Sequence, residues 1–226
     1  MSSNEQAKQL VGRKAAELVK PNMTIGIGTG STVYWFILAL AEKIKNGLNC
    51  KGVPTSIATK NLMQQHKIPV SELNDVEFID LTIDGADEIT HQLQLIKGGG
   101  GALLQEKMVA ANSKQFIIIA DEHKYVSKLG KFPLPVEVVP YGWKQTKHKI
   151  EHLGCTKVEL RERDGQIFIT DHGHYILDCY FNQIEDPTSL HFQLKNIPGL
   201  VEVGLFLGMA NGAFISYSNG EIRYLS

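Results

Sequence analysis

Three short stretches of this 226-residue chain carry residue types that could do chemistry. The first, residues 84–88, reads Asp84-Gly85-Ala86-Asp87-Glu88, three carboxylates in five residues directly after an apolar run. A carboxylate at a strand end can move protons between sugar oxygens or accept hydrogen bonds from hydroxyls. Asp and Gly are also the residues of a plain solvated turn. The second stretch is Lys97 followed by Gly98-Gly99-Gly100-Gly101, then a helical pattern over 102–114. Consecutive glycines cost backbone entropy. Close approach of a ligand to backbone N–H groups would explain them, with Lys97 as a fixed charge facing a phosphate or a developing oxyanion. A flexible loop with a solvated lysine is the competing reading. The third, residues 26–32, reads Gly-Ile-Gly-Thr-Gly-Ser-Thr between a strand pattern and a helix pattern. Its glycines can turn tightly and aim N–H groups at an anion. The helix N-terminus and the Ser31 and Thr32 hydroxyls suit a phosphate. A strand–helix turn capped by Ser31 or Thr32 fits equally well.

Glu106 lies one turn into the helix at 102–114. Helical spacing surrounds it with Ala102, Leu103, Val109 and Ala110, with Leu104, Met108 and Ala111 opposite. A carboxylate among such neighbours has a raised pKa, which suits a general base near neutral pH. The alternative is a surface glutamate beside Lys107.

Other patterns fall short. No Gly-Lys-Ser/Thr completes a P-loop. The spacing Gly-x-Gly-x-Gly is not the dinucleotide fingerprint, and Cys50-Lys51 stands where an acidic residue for a ribose hydroxyl belongs. His148-Lys149-Ile150-Glu151-His152 matches a zinc-protease pattern, but no further ligand is marked, so a solvated helix face is the reading taken. His123 and Lys124 follow a strand and could reach the same sheet edge as the three loops, or lie on a plain surface loop.

The elements that must position these loops alternate. Strand patterns cover 23–27, 51–56, 77–83, 93–96 and 116–120. Helix patterns cover 32–45, 58–66 and 102–114. Such alternation predicts an open, mostly parallel sheet with helices on both faces, whose ligands bind beyond the carboxyl ends of the strands. The prolines Pro133, Pro135 and Pro140 mark a crossing to a second domain. Beyond them a helix at 142–153, strands at 156–161, 166–170 and 175–180, a helix at 187–196 and a strand at 200–203 suggest a small α+β domain. Two last strands, 213–217 and 222–225, joined at Asn219-Gly220, could rejoin the first sheet. The expected division is 1–130 with 205–226 against 131–204.

Composition narrows the partners. Lys plus Arg number 23 against 24 Asp plus Glu, a net charge of −1. Nucleic-acid binding needs a basic face, so none is expected. No apolar run is long enough to span a bilayer, and no signal peptide is visible. Three cysteines without a Cys-x-x-Cys pair fit a reducing compartment, the cytoplasm.

Taken together the motifs resemble those of type A ribose-5-phosphate isomerases. The stretches that carry the resemblance are 26–32 (GIGTGST), 84–88 (DGADE), 97–107 (KGGGGALLQEK), 130–137 (GKFPLPVE) and 198–206 (PGLVEVGLF), spread over most of the chain. The resemblance implies a Rossmann-like catalytic domain plus a smaller, ferredoxin-like α+β domain in a homodimer or larger homo-oligomer. It implies aldose–ketose isomerisation of a sugar phosphate through an enediolate, with no metal or other cofactor. Glu106 falls on the family's catalytic base. Asp84, Asp87 and Lys97 fall on its polar catalytic groups. Thr29, Gly30, Ser31, Thr32, Gly85, Ala86, Gly98, Gly99, Gly100 and Lys124 fall on substrate-binding positions, as does Lys8 near the phosphate. Gly101 stands where alanine is common and adds freedom to its loop. Two rivals stay open: a non-enzymatic sugar-phosphate sensor of related fold, and another enzyme such as a sugar-phosphate deaminase or a coenzyme A transferase.

Overall fold

The computed structural model describes residues 3–226. In chain order its main elements are α1 (Ser3–Ala16), β1 (Thr24–Ile27), α2 (Ser31–Lys45), β2 (Lys51–Pro54), α3 (Ile57–Gln65) and β3 (Leu81–Asp84). Then follow β4 (Glu88–Ile89), β5 (Leu95–Ile96), α4 (Leu103–Ala111), β6 (Phe116–Asp121), β7 (Leu134–Val138), α5 (Trp143–Glu151) and β8 (Lys157–Leu160). The remainder comprises β9 (Glu162–Arg163), β10 (Gln166–Ile167), β11 (Tyr175–Tyr180), α6 (Pro187–Lys195), β12 (Leu200–Val203), β13 (Leu205–Phe206), β14 (Gly212–Ser216) and β15 (Ile222–Leu225). Among the described residues no helix is long and apolar enough to cross a membrane.

The chain folds into two compact units. The first holds the residues up to 86 with 105–125 and 209–226; the second holds 87–104 and 126–208. The stretch 87–104 therefore groups with the second unit, and the chain passes between units inside the acidic loop and again inside α4.

The first unit is built on one sheet in the order β15-β14-β6-β3-β1-β2. Every pair is parallel except β14 with β15. The two C-terminal strands do join this sheet. Strands covered on both faces read as continuous apolar runs, and β6 (FIIIAD) is buried throughout. Ile25, Ile27, Leu81, Ile83, Ile117 and Ile119 pack with Val11 and Ala15 of α1 and Phe36, Ile37 and Leu40 of α2. Full burial of each such isoleucine contributes about 1.5–3 kcal/mol. Alternate positions face the other way. Val53 packs with Ile79 and with Val109 of α4. A Cβ on Gly26 would run into Thr82 Oγ1 and come within 2.7 Å of Val109 Cγ1. Glycine at 26 thus lets α4 lie close against β1 and β3.

Helix α1 has no counterpart in the sequence reading. Its buried face is made of Ala7, Val11, Ala15 and Ala16, small residues that leave a weak apolar period. Gly12 faces α2, where a Cβ would stand 2.7 Å from the Phe36 nitrogen.

The second unit has a four-stranded sheet, β12-β7-β11-β8, and a small sheet, β13-β5-β4. The proline-rich run expected to be a crossing is instead β7, an inner strand paired antiparallel with β11 and β12. Proline normally argues against an inner strand, because it cannot donate to the ladder. Pro135 still accepts, taking the Gly204 N–H at 2.8 Å. The strand expected over 166–170 shortens to β10, a hairpin with β9. Leu134, Val136, Val138, Ile150, Leu177, Leu190 and Val203 form this unit's core.

Glu88, in β4, is buried, and its carboxylate accepts the N–H groups of Gly130 at 2.7 Å and Phe132 at 2.6 Å. It pins the turn that leads into β7. Glu88→Ala should cost about 3–6 kcal/mol, since each of its two hydrogen bonds to a charged group contributes ~1.5–3 kcal/mol. Urea unfolding checks this, with Glu88→Gln losing less; an unchanged midpoint for the alanine variant would mean the turn is held by other contacts.

Candidate active site

The first unit's sheet places its loops by topology. The order β2-β1-β3 puts a change of winding direction between β1 and β3. In an open parallel sheet the crevice beyond the carboxyl ends at such a point is where ligands bind. Here β1 ends in the glycine loop and β3 ends at Asp84.

Asp84 is fully buried, at 0 % exposure. Its Oδ1 accepts the N–H groups of Gly85 at 2.7 Å and Thr29 at 3.2 Å. The Gly28 N–H donates to Ile83 O at 2.9 Å. A Cβ on Gly28 would overlap the Asp84 carboxylate. The glycine loop and the acidic loop are therefore locked to each other, not merely on the same edge.

Past the lock, Gly30 takes φ +124° at the N-cap of α2 and makes no side-chain cap. Neither Ser31 nor Thr32 caps this helix, so its first N–H groups lie beside an exposed Ser31. Lys8 of α1 donates from Nζ to Ser31 Oγ at 3.0 Å. A helix N-terminus with a lysine and two hydroxyls is suited to a phosphate.

Thr29 faces a hydroxyl cluster that the sequence reading missed. Its Oγ1 lies 2.8 Å from Thr55 Oγ1, 2.8 Å from Ser56 Oγ and 3.1 Å from Thr59 Oγ1. Thr59 Oγ1 donates to Gly28 O at 2.7 Å, and Ser56 caps α3 by accepting the Thr59 N–H. The cap was legible as a serine before a helix. Its reach across to Thr29 was not, because 26 to 30 residues separate the partners.

Glu106 sits in the first turn of α4 at 3 % exposure. The helix that carries it is the one Gly26 admits against β1 and β3. Lys124 ends a 3-10 turn directly after β6. Asp121 accepts the His123 N–H at 3.0 Å and shapes that turn. Glu122, in the same turn, accepts the Ser218 N–H, which holds its carboxyl below the usual range.

Asp87, Lys97 and the glycines at 98–101 belong to the second unit. Asp87 Oδ2 accepts the Gly99 N–H at 2.7 Å. Lys97 is 2 % exposed; its backbone N–H donates to Gly204 O at 2.9 Å, and its ammonium stands 5.5 Å from the centre of the Phe206 ring. A Gly101-to-Gly98 hydrogen bond of 3.0 Å closes the glycine run into a turn. Gly101 does not loosen this loop as expected: it holds φ +90°, and the Phe168 ring occupies the space a Cβ would take. Of the acidic loop's three carboxylates, Glu88 serves the fold. Gly85 and Ala86 end the first segment of the first unit, and Asp87 begins the second unit.

On α5 the histidine pattern resolves into local contacts. His152 Nδ1 lies 2.7 Å from His148 O, and Glu151 pairs with Lys147 and His148. Among the described residues no set of three or more His, Cys, Asp or Glu side chains is placed to hold a metal ion.

An open, mostly parallel sheet with an anion-type helix N-terminus and a buried carboxylate at its change of winding defines an α/β protein built for a small phosphorylated ligand. The family model for ribose 5-phosphate isomerase A (phosphoriboisomerase A) matches residues 51–220. Ribose-5-phosphate isomerase A of Bacillus mycoides is 54 % identical over 96 % of this chain and 98 % of its own. The solved ribose 5-phosphate isomerase of Plasmodium falciparum superposes with a TM-score of 0.95 at 38 % identity, covering 98 % of both chains. A D-ribose-5-phosphate isomerase solved in complex with phospho-erythronic acid gives a TM-score of 0.95 at 38 % identity over 100 % of both chains. The chain belongs to the ribose 5-phosphate isomerase A family.

The lock between Gly28 and Asp84 has a direct test. Gly28→Ala should destabilise the protein by about 1–3 kcal/mol, the usual cost of overpacking. Gly85→Ala, where a Cβ would meet its nearest atoms at 3.9 and 4.0 Å, should be near neutral. Thermal unfolding of the two variants side by side decides; equal midpoints would contradict the lock.

Proposed function

We propose that this protein interconverts D-ribose 5-phosphate and D-ribulose 5-phosphate through an enediolate, as the names of its relatives indicate for them. The observation that carries the reading is Glu106: a buried carboxylate on the helix packed against the β1–β3 switch point.

The α2 N-terminus, Ser31, Thr32, Lys8 and Lys124 hold the 5-phosphate. Asp84 assists opening of the furanose ring and moves a proton between O1 and O2. Glu106 takes the C2 proton from the open-chain aldose. The C2–H electrons form the C1=C2 bond, and charge moves to O1. After the proton shift from O2 to O1, C2=O forms and Glu106 returns its proton to C1. Lys97, Asp87 (through a shared proton or hydrogen bond) and glycine N–H groups stabilise the anionic enediolate. Triosephosphate isomerase runs the same kind of proton shift with a glutamate base beside an electrophile that polarises the carbonyl. A sensor without catalysis would need the phosphate-binding loop but not a buried glutamate on α4.

We further infer a homo-oligomer in the cytoplasm. Cys50, Cys155 and Cys179 are all free thiols, which suits a reducing compartment.

Glu106→Gln should lower kcat by about 10²–10⁴-fold, the usual contribution of a general base, while KM stays close to that of the unaltered protein. A spectrophotometric ribose 5-phosphate assay reads this, and near-normal turnover would refute the base. In the same assay EDTA should leave the rate unchanged; a loss restored by zinc would overturn the metal-independent mechanism.

A further inference from the structure

The second unit holds a largely buried ion pair that the mechanism above does not use. Arg161 lies just past β8, and its side chain is 11 % exposed against 15 % for its partner Asp178. Arg161 Nε donates to Asp178 Oδ2 at 2.9 Å, and Nη2 donates to Oδ1. The backbone is fixed too: Arg161 N–H donates to Ile176 O at 2.8 Å, and Arg161 O accepts the Phe168 N–H at 2.9 Å. A pair kept only for folding would be complete there. The fork has one more arm, and it reaches the lysine-glycine loop. Nη1 donates to Gly98 O at 2.7 Å and to Gly99 O at 3.2 Å.

These contacts set the loop's peptide planes. In a trans peptide the C=O and the following N–H point opposite ways. The Gly98–Gly99 peptide is gripped at both ends, its oxygen by Arg161 and its N–H by Asp87. The Gly99–Gly100 peptide is gripped at its oxygen by the same guanidinium, which turns the Gly100 N–H away from Arg161. Gly100 is exposed. A charged donor on a peptide oxygen polarises that peptide's N–H, strengthening it by roughly 10–30 % per bond. Four adjacent glycines would otherwise sample many orientations.

We propose that Arg161, oriented by Asp178, is a positioning residue for the isomerisation: it fixes and polarises the glycine peptides so that the Gly100 N–H is presented to the developing oxyanion. This rests on the isomerase reading above. Lysine cannot replace it, because a single ammonium lacks the planar fork that spans a carboxylate and two carbonyls.

The test uses the full chain and four proteins: unaltered, Arg161→Ala, Arg161→Lys and Asp178→Asn. Each is assayed for kcat and KM with ribose 5-phosphate and for thermal unfolding, and Arg161→Ala is assayed again with added ethylguanidinium. Loss of one preorganised donor typically costs about 10²-fold in kcat. Arg161→Ala should therefore lose kcat on that scale with KM within about threefold. Arg161→Lys should recover little, Asp178→Asn should show a smaller kcat loss, and millimolar ethylguanidinium should restore part of kcat to the alanine variant. A folded Arg161→Ala protein with unaltered kcat overturns the proposal, as does a loss that ethylguanidinium does not reverse. Should the alanine variant fail to fold, a kcat for Arg161→Lys equal to that of the unaltered protein overturns it. An unaltered protein that does not isomerise ribose 5-phosphate refutes the functional reading itself, and this proposal falls with it.

Discussion

Carboxylates that accept backbone N–H groups hold this structure's working loops in place. Asp84 takes the N–H groups of Gly85 and Thr29, Asp87 takes that of Gly99, and Glu88 takes those of Gly130 and Phe132. A buried polar backbone group without a partner costs about 1–3 kcal/mol, so each turn depends on its carboxylate staying in place. One five-residue segment thereby ties down the glycine loop, the lysine-glycine loop and the turn into β7. Charge-assisted hydrogen bonds of this kind are stronger than neutral ones. They hold the loops through polar contacts, which suits polar ligands.

The glycines are the complement of those carboxylates. Gly28 leaves room for the Asp84 side chain, and Gly99 does the same for Asp87. Gly26 serves packing, by admitting α4 with Glu106 on its first turn. A glycine here is less a source of freedom than a vacancy filled by a named neighbour, and Gly101 under Phe168 is the clearest case. Rigid presentation of donors matters because electrostatic stabilisation works best when no reorganisation is needed during the reaction.

Much of this was legible along the chain. The β-rich runs at β1, β3 and β6 and the glycine turn after β1 are local signals, and so is the crowding of small and apolar residues around Glu106. What escaped depends on partners distant in sequence. Nothing local joins Asp84 to Thr29, or Arg161 to Gly98, across gaps of 55 and 63 residues. Helix α1 hid because its buried face is mostly alanine. The β7 strand hid because three prolines imitate a linker, although Pro135 gives up only a donor there. Glu88 belongs to the fold through its N–H partners Gly130 and Phe132, more than 40 residues away, which no local pattern marks.

The proposed isomerisation turns on proton transfer at C2 by Glu106. The most direct measurement is proton NMR of ribose 5-phosphate turnover in D₂O, with the unaltered protein and with Glu106→Gln. Solvent deuterium should appear at C1 of the ketose and at C2 of recovered aldose with the unaltered protein, and both exchange and turnover should be lost in the variant. Undiminished turnover by Glu106→Gln, with the C2 hydrogen carried intact to C1, would contradict that proton transfer.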